Sequence, residues 1–166
     1  MAKFYSTKTY GNDRGLSCCF RQWRATHSHC RLLHGYSIGV KLTFECDELD
    51  ARNWVFDFGG LKEFKGWLEY MFDHTTLIAK DDPHLENFQQ LSRMGKNMMG
   101  ASAGHGILEL REVEGVGCEK FAEMIYNKMD SIIKKSIYDC TALNPTVRIK
   151  SVEVFEHGAN SAIYEA

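Results

Sequence analysis

The sequence predicts an α+β chain in which an antiparallel sheet carries helices on one face. Three observations lead there. Residues 31–45 alternate strictly, with His34, Tyr36, Ile38, Val40, Leu42 and Phe44 on one face and Gly35, Ser37, Gly39, Lys41, Thr43 and Glu45 on the other, the period of a half-buried strand. Two apolar stripes at helical spacing follow, Leu61-Phe64-Trp67-Leu68-Met71-Phe72 and Phe121-Ile125-Met129-Ile132. After Asn144-Pro145 the period-2 pattern returns from Val147 to Glu156.

The elements follow in order. The first dozen residues read as a polar lead-in that ends at the turn Gly11-Asn12-Asp13. Leu16 to Ala25, rich in Cys, Phe and Trp, reads as a strand that forms a hairpin with residues 31–45. A polar turn, Asp47-Glu48-Leu49-Asp50, precedes a short strand over 53–58, and Gly59-Gly60 leads into the first helix. Asp81-Asp82-Pro83 breaks the chain, and Leu85, Phe88 and Leu91 mark a short helix within 84–94. Residues 96–106 lack any period and read as a loop. The second long helix spans 119–135, and a last short strand runs from the turn at Gly158 through Tyr164. There is no internal repeat.

At 166 residues, with 44% hydrophobic and 25% charged residues, the chain is expected to form one soluble domain over 1–166. Twenty basic and twenty-two acidic residues without a basic stripe argue against a nucleic-acid partner. No apolar run is long enough to cross a bilayer, and the N-terminus does not look like a signal peptide, so a cytoplasmic protein is expected. In that compartment the six cysteines are buried small hydrophobes or chemical groups rather than disulfides. Adjacent Cys18 and Cys19 point to opposite faces of a strand and read as structural.

Cys30-Arg31-Leu32-Leu33-His34-Gly35-Tyr36-Ser37 resembles the zinc strand of the 6-pyruvoyl- and 6-carboxytetrahydropterin synthase family, which carries Cys-x-x-x-His-Gly-His. Further landmarks occur in that family's order: Val55-Phe56-Asp57-Phe58, Phe72-Asp73-His74, Gly117-Cys118-Glu119, Val154-Phe155-Glu156 and Ala162-Ile163-Tyr164. The resemblance covers the chain apart from the lead-in and a longer stretch at about 80–114. It implies the tunnelling fold, a four-stranded antiparallel sheet with two long helices on one face. It also implies a homo-oligomeric barrel (tetramer or hexamer) with active sites between subunits.

The same resemblance assigns roles. Cys30, flanked by His29 and Arg31, becomes the base that deprotonates the substrate side chain, since nearby positive charge favours thiolate. Asp73 and His74 relay a proton to the opposite face of the pterin. Glu156 accepts two parallel hydrogen bonds from the amidine-like edge of the ring, with Glu119 and the backbone near Cys118 completing the pocket. The bland alternatives are a buried inert cysteine, a helix-end histidine and a first-turn glutamate.

The metal site departs from the family pattern, because Tyr36 stands where the second strand histidine belongs. His27, His29 and His34 supply three imidazoles for a catalytic zinc, while the competing reading makes His27 and His29 plain loop residues. His84, His105 and His157 receive no role. The implied activity is that of a lyase on 7,8-dihydroneopterin triphosphate giving 6-carboxytetrahydropterin, a reaction feeding queuosine-type synthesis. The alternatives are the 6-pyruvoyl product, a different pterin chemistry on the same fold, or a pterin- or purine-binding homologue without zinc.

Overall fold

A computed structural model describes residues 3–94 and 107–166. In chain order its elements are β1 (Phe4–Tyr10), β2 (Ser17–Phe20), β3 (His34–Ser37), β4 (Gly39–Cys46), α1 (Lys62–Phe72), β5 (Thr75–Ala79), α2 (Leu85–Arg93), β6 (Leu110–Val113), α3 (Cys118–Tyr138), β7 (Arg148–His157) and β8 (Asn160–Glu165). The loop expected at 96–106, with His105, lies outside the described residues.

The antiparallel sheet expected from the sequence has the order β1-β4-β7-β8. A second sheet, β3-β2-β5-β6, was not foreseen; its β2–β5 and β5–β6 pairs are parallel. Those parallel neighbours are joined through helical crossovers, as parallel pairing requires. Ile38, and Val40, Leu42 and Phe44 of β4, are fully buried, as their alternation demands. Phe64, Leu68 and Phe72 of α1 and Phe121, Ile125 and Met129 of α3 close over the same core.

Three expectations fail, each for a physical reason. The polar lead-in is strand β1, paired with β4 from Phe4↔Cys46 to Tyr10↔Val40. An edge strand needs little apolar surface, and here only Tyr10 is buried. Residues 31–45 are not one strand. His29–Arg31 is a 3₁₀ turn, β3 joins the second sheet and β4 the first, while the alternation runs unbroken across the switch at Ile38. Gly39 lets the backbones pass there, since a Cβ would lie 3.3 Å from both Tyr10 O and Asn12 N. Residues 53–58 form no strand. Asp50 Oδ1 accepts from Arg52 N and Trp54 N, curling the chain so that Phe56 stacks on Phe44 with ring centroids 4.3 Å apart.

Strand β7 carries two irregularities. Thr43 pairs with Ser151 and Phe44 with Ile149, leaving Lys150 as an extra residue. This bulge changes the parity of the strand, so Ile149 before it and Val152 and Val154 after it all face the core. The second shift falls between Phe155 and His157 against β8, with Glu156 between them.

Candidate active site

Glu156 shares the parity of Val152 and Val154 and sits at the second bulge, where a side chain is re-aimed as the strand leaves its ladder. Its carboxylate is half-buried and accepts from Asn160 Nδ2 at 3.3 Å. Tyr36 of β3 approaches from the other sheet. Asn12 ties the two strands together: its Nδ2 donates to Ser37 O at 2.7 Å and to Phe155 O at 3.4 Å, the neighbours of Tyr36 and Glu156. Ser37 Oγ donates back to Asn12 O.

Cys30 reaches the same corner from the loop between β2 and β3. Gln22 N donates to Cys30 O at 2.8 Å, and Cys30 N donates to Ser28 Oγ at 3.2 Å, which holds this short turn on the end of β2. Cys118 opens α3. Gly117 before it has φ 112, and a Cβ there would lie 2.6 Å from Gln22 Nε2, so only glycine fits between helix and loop.

The electrostatics show that these groups are neighbours. Burial first, then the Glu156 carboxylate, then Cys30 and Cys118, push the Tyr36 phenol up to about 12. Burial, followed by Glu156 and Glu119, pushes the Cys118 thiol up to about 11. Burial, with Cys19 and Cys118 behind it, pushes Cys18 up to about 12. At neutral pH Tyr36, Cys18 and Cys118 are therefore proton carriers rather than bases. Cys30, Cys118 and Glu156, far apart in sequence, all lie near enough to Tyr36 to act on its charge, and Glu119 is exposed in the first turn of α3.

Asp73 and His74 lie elsewhere on the same chain. They join α1 to β5, and Asp73 Oδ1 accepts from His74 Nδ1 at 2.6 Å. The His74 side chain is 87% exposed and its backbone is left-handed at φ 54, a conformation that costs a non-glycine residue about 1 kcal/mol. Thr75 pairs with Cys18, itself opposite Tyr36, so the pair enters the second sheet two strands away from Tyr36.

A family model described as 6-pyruvoyl tetrahydropterin synthase matches residues 12–166. The chain belongs to this family. A 6-carboxy-5,6,7,8-tetrahydropterin synthase of Rickettsia bellii is 32% identical over 57 residues, 34% of this chain; the match spans only 41% of that relative. Among solved structures, an uncharacterized protein of Wolinella succinogenes superposes with a TM-score of 0.75 at 21% identity, covering 99% of both chains. The 6-pyruvoyltetrahydropterin synthase of Plasmodium vivax gives 0.64 at 13% identity over 100% of this chain and 99% of its own. That of Caenorhabditis elegans gives 0.55 at 16% identity over 99% and 95%. These likenesses establish the tunnelling fold.

The family's zinc finds no fitting set of ligands here. His27 and His29 are exposed in the β2–β3 loop, and no three His, Cys, Asp or Glu side chains assemble as a metal cluster among the described residues. His34 is committed on both nitrogens, Nδ1 to Leu32 O at 2.6 Å and Nε2 to the Tyr36 hydroxyl at 3.0 Å. His27, His29 and His34 therefore do not form a cluster of three ligands among the described residues.

Sequence reasoning passed over Asn12, read only as a turn residue, and Phe20, read only as strand. The signal for Asn12 was its place directly before the first core strand of a hairpin. Nothing local announced its partners, Ser37 and Phe155.

Among the described residues no helix is long and apolar enough to cross a membrane.

Proposed function

We propose that the chain is a lyase that converts 7,8-dihydroneopterin triphosphate and one water to 6-carboxytetrahydropterin, with release of triphosphate and acetaldehyde. The observation that supports this reading is the proximity of Cys30, Cys118 and Glu156 to Tyr36, whose phenol all three influence. Glu156 grips the amidine-like edge of the pterin through two parallel N–H···O bonds. Glu119 and the backbone N–H groups at the start of α3 flank the same edge. With Cys18 and Cys118 held protonated, Cys30 is the sulfur assigned to take the side-chain proton.

Asp73 and His74 serve the site of a second copy in a homo-oligomer. Asp73 fixes the Nδ1–H tautomer, so Nε2 of the exposed ring faces outward to exchange a proton with a pterin bound next door. Mixing tests this arrangement. Cys30→Ala and His74→Ala proteins are each inactive alone, and co-expression restores part of the activity if the two residues act across an interface. No recovery in mixed oligomers rules the shared site out.

Product analysis by mass spectrometry after incubation with the triphosphate tests the activity itself. A carboxypterin supports the proposal, a pyruvoylpterin moves the chain to the other branch, and unchanged substrate removes both. A second reading, a pterin-binding protein without turnover, is favoured by the missing ligand set around His34. It expects pterin binding that depends on Glu156 and no product.

A further inference from the structure

The hairpin of β2 and β3 is where a strand-borne metal would be held, and its geometry can be followed atom by atom. On β3, His34 and Tyr36 face the same side, two residues apart. On β2 the residue directly opposite His34 is Phe20. A third ligand from the neighbouring strand would come from that position, because directly opposed side chains are the ones that meet across a pair. Phe20 is buried, and its ring lies 5.8 Å from His34 and 5.4 Å from Tyr36, while His34 and Tyr36 are 5.1 Å apart. The space between the three side chains is thus walled by rings, and Phe121 seals it from below, edge-on to Phe20 at 5.0 Å.

The imidazole closes the argument. Leu32 O can only accept, so Nδ1 of His34 carries the hydrogen of the neutral ring and Nε2 presents its lone pair. That orientation is the one a metal-bound histidine adopts, with a backbone carbonyl fixing the distal nitrogen. The lone pair meets the Tyr36 O–H, which donates to it. A hydroxyl stands where the cation would.

We infer that this chain has exchanged the family's metal centre for a Phe20-His34-Tyr36 aromatic cluster, in which the Tyr36 hydroxyl caps His34 Nε2. The inference concerns the residues of this chain alone and holds whether or not the lyase reading does. Hard or borderline cations need three lone pairs in one small volume, and here one is capped and two positions carry a phenyl and a phenol. The cluster supplies packing and a fixed hydrogen bond in place of coordination.

Metal analysis of the full-length protein, purified without chelator or affinity metal, tests the inference with no substrate present. Zinc is expected below about 0.1 per chain, and cobalt(II) titration is expected to give no tetrahedral absorption bands. One tightly held zinc per chain, or such bands, overturns it. The complementary variant is Phe20→His with Tyr36→His, which rebuilds three imidazoles and is expected to take up about one cobalt per chain. A folded double variant that binds none overturns the claim that these two positions exclude the metal. If the double variant does not fold, Tyr36→His alone decides: cobalt affinity at least about tenfold above wild type supports the exchange, and equal affinity refutes it. Activity assays separate the two proposals. Turnover by zinc-free protein supports both, and absence of turnover in zinc-free protein removes the lyase while leaving the exchange intact.

Discussion

Raising the pH from 8 to 10 is expected to cost this fold about 3 kcal/mol, through two thiols. Cys18 and Cys118 are shifted from 9.0 up to about 12 and about 11, burial being the leading cause for both. In the unfolded chain each ionises near 9.0, while in the native state each keeps its proton. The unfolded state therefore binds fewer protons above that point, and stability falls as pH rises. At one pH unit above the unfolded value each thiol contributes about 1.4 kcal/mol of that loss, giving about 3 kcal/mol for the pair at pH 10. Tyr10, Tyr36 and Tyr126 start from 10.0, and Lys80, Lys120, Lys134, Lys135 and Lys150 from 10.5, so they add to the loss only toward the top of this range, and the thiols lead between pH 8 and 9.5. Urea unfolding at pH 8, 9 and 10 under reducing conditions measures the slope, and the Cys18→Ala/Cys118→Ala variant should flatten it. A stability that is constant over this range, or a slope unchanged in the double variant, would refute the reasoning.

Other outcomes follow from the same contacts. Phe20→Ala removes a buried ring packed against Phe121, His34 and Tyr36 and should lower unfolding free energy by about 3–5 kcal/mol in urea melts. Asp82→Ala strands Arg21, whose Nε lies 3.2 Å from the fully buried Asp82 carboxylate, and is expected to cost about 3 kcal/mol by calorimetry, with Asp82→Asn intermediate. Asn12→Ala removes the tie between β3 and β7 for about 1 kcal/mol of stability, and pterin affinity measured by calorimetry should fall alongside it. Glu156→Gln keeps the shape but loses the charge, so pterin binding is expected to weaken about 10- to 100-fold.

Much of this architecture was legible because burial writes a period into the sequence. The β4 and β7 segments and the stripes of α1 and α3 are the elements with the most apolar surface to hide, and all four were found. The elements that escaped have little such surface. Strand β1 hides chiefly Tyr10, and β5 is buried on both faces, so neither shows an alternation. The break at Ile38 was silent because the parity of buried side chains runs through it, although the hydrogen-bond partners change sheets. For the site, the order of short motifs singled out Cys30, Cys118 and Glu156, and all three influence the Tyr36 phenol. What one chain does not bring there is the Asp73–His74 pair. The course of the chain after Gln22 was not legible, because the contact that closes this loop, Gln22 N to Cys30 O, is made between backbone groups that no residue pattern encodes.

The extra residue at Lys150 makes the length of β7 as constrained as its composition. Excising a single residue there would turn Val152 and Val154 out to water and swing Glu156 away from Tyr36, although every amino acid named in the site would still be present. Substitutions along this strand are graded in effect, whereas one-residue insertions or deletions between Ile149 and Val152 act as a switch. A homologue missing that residue would need a second, compensating length change before Glu156 to keep its carboxylate near Tyr36.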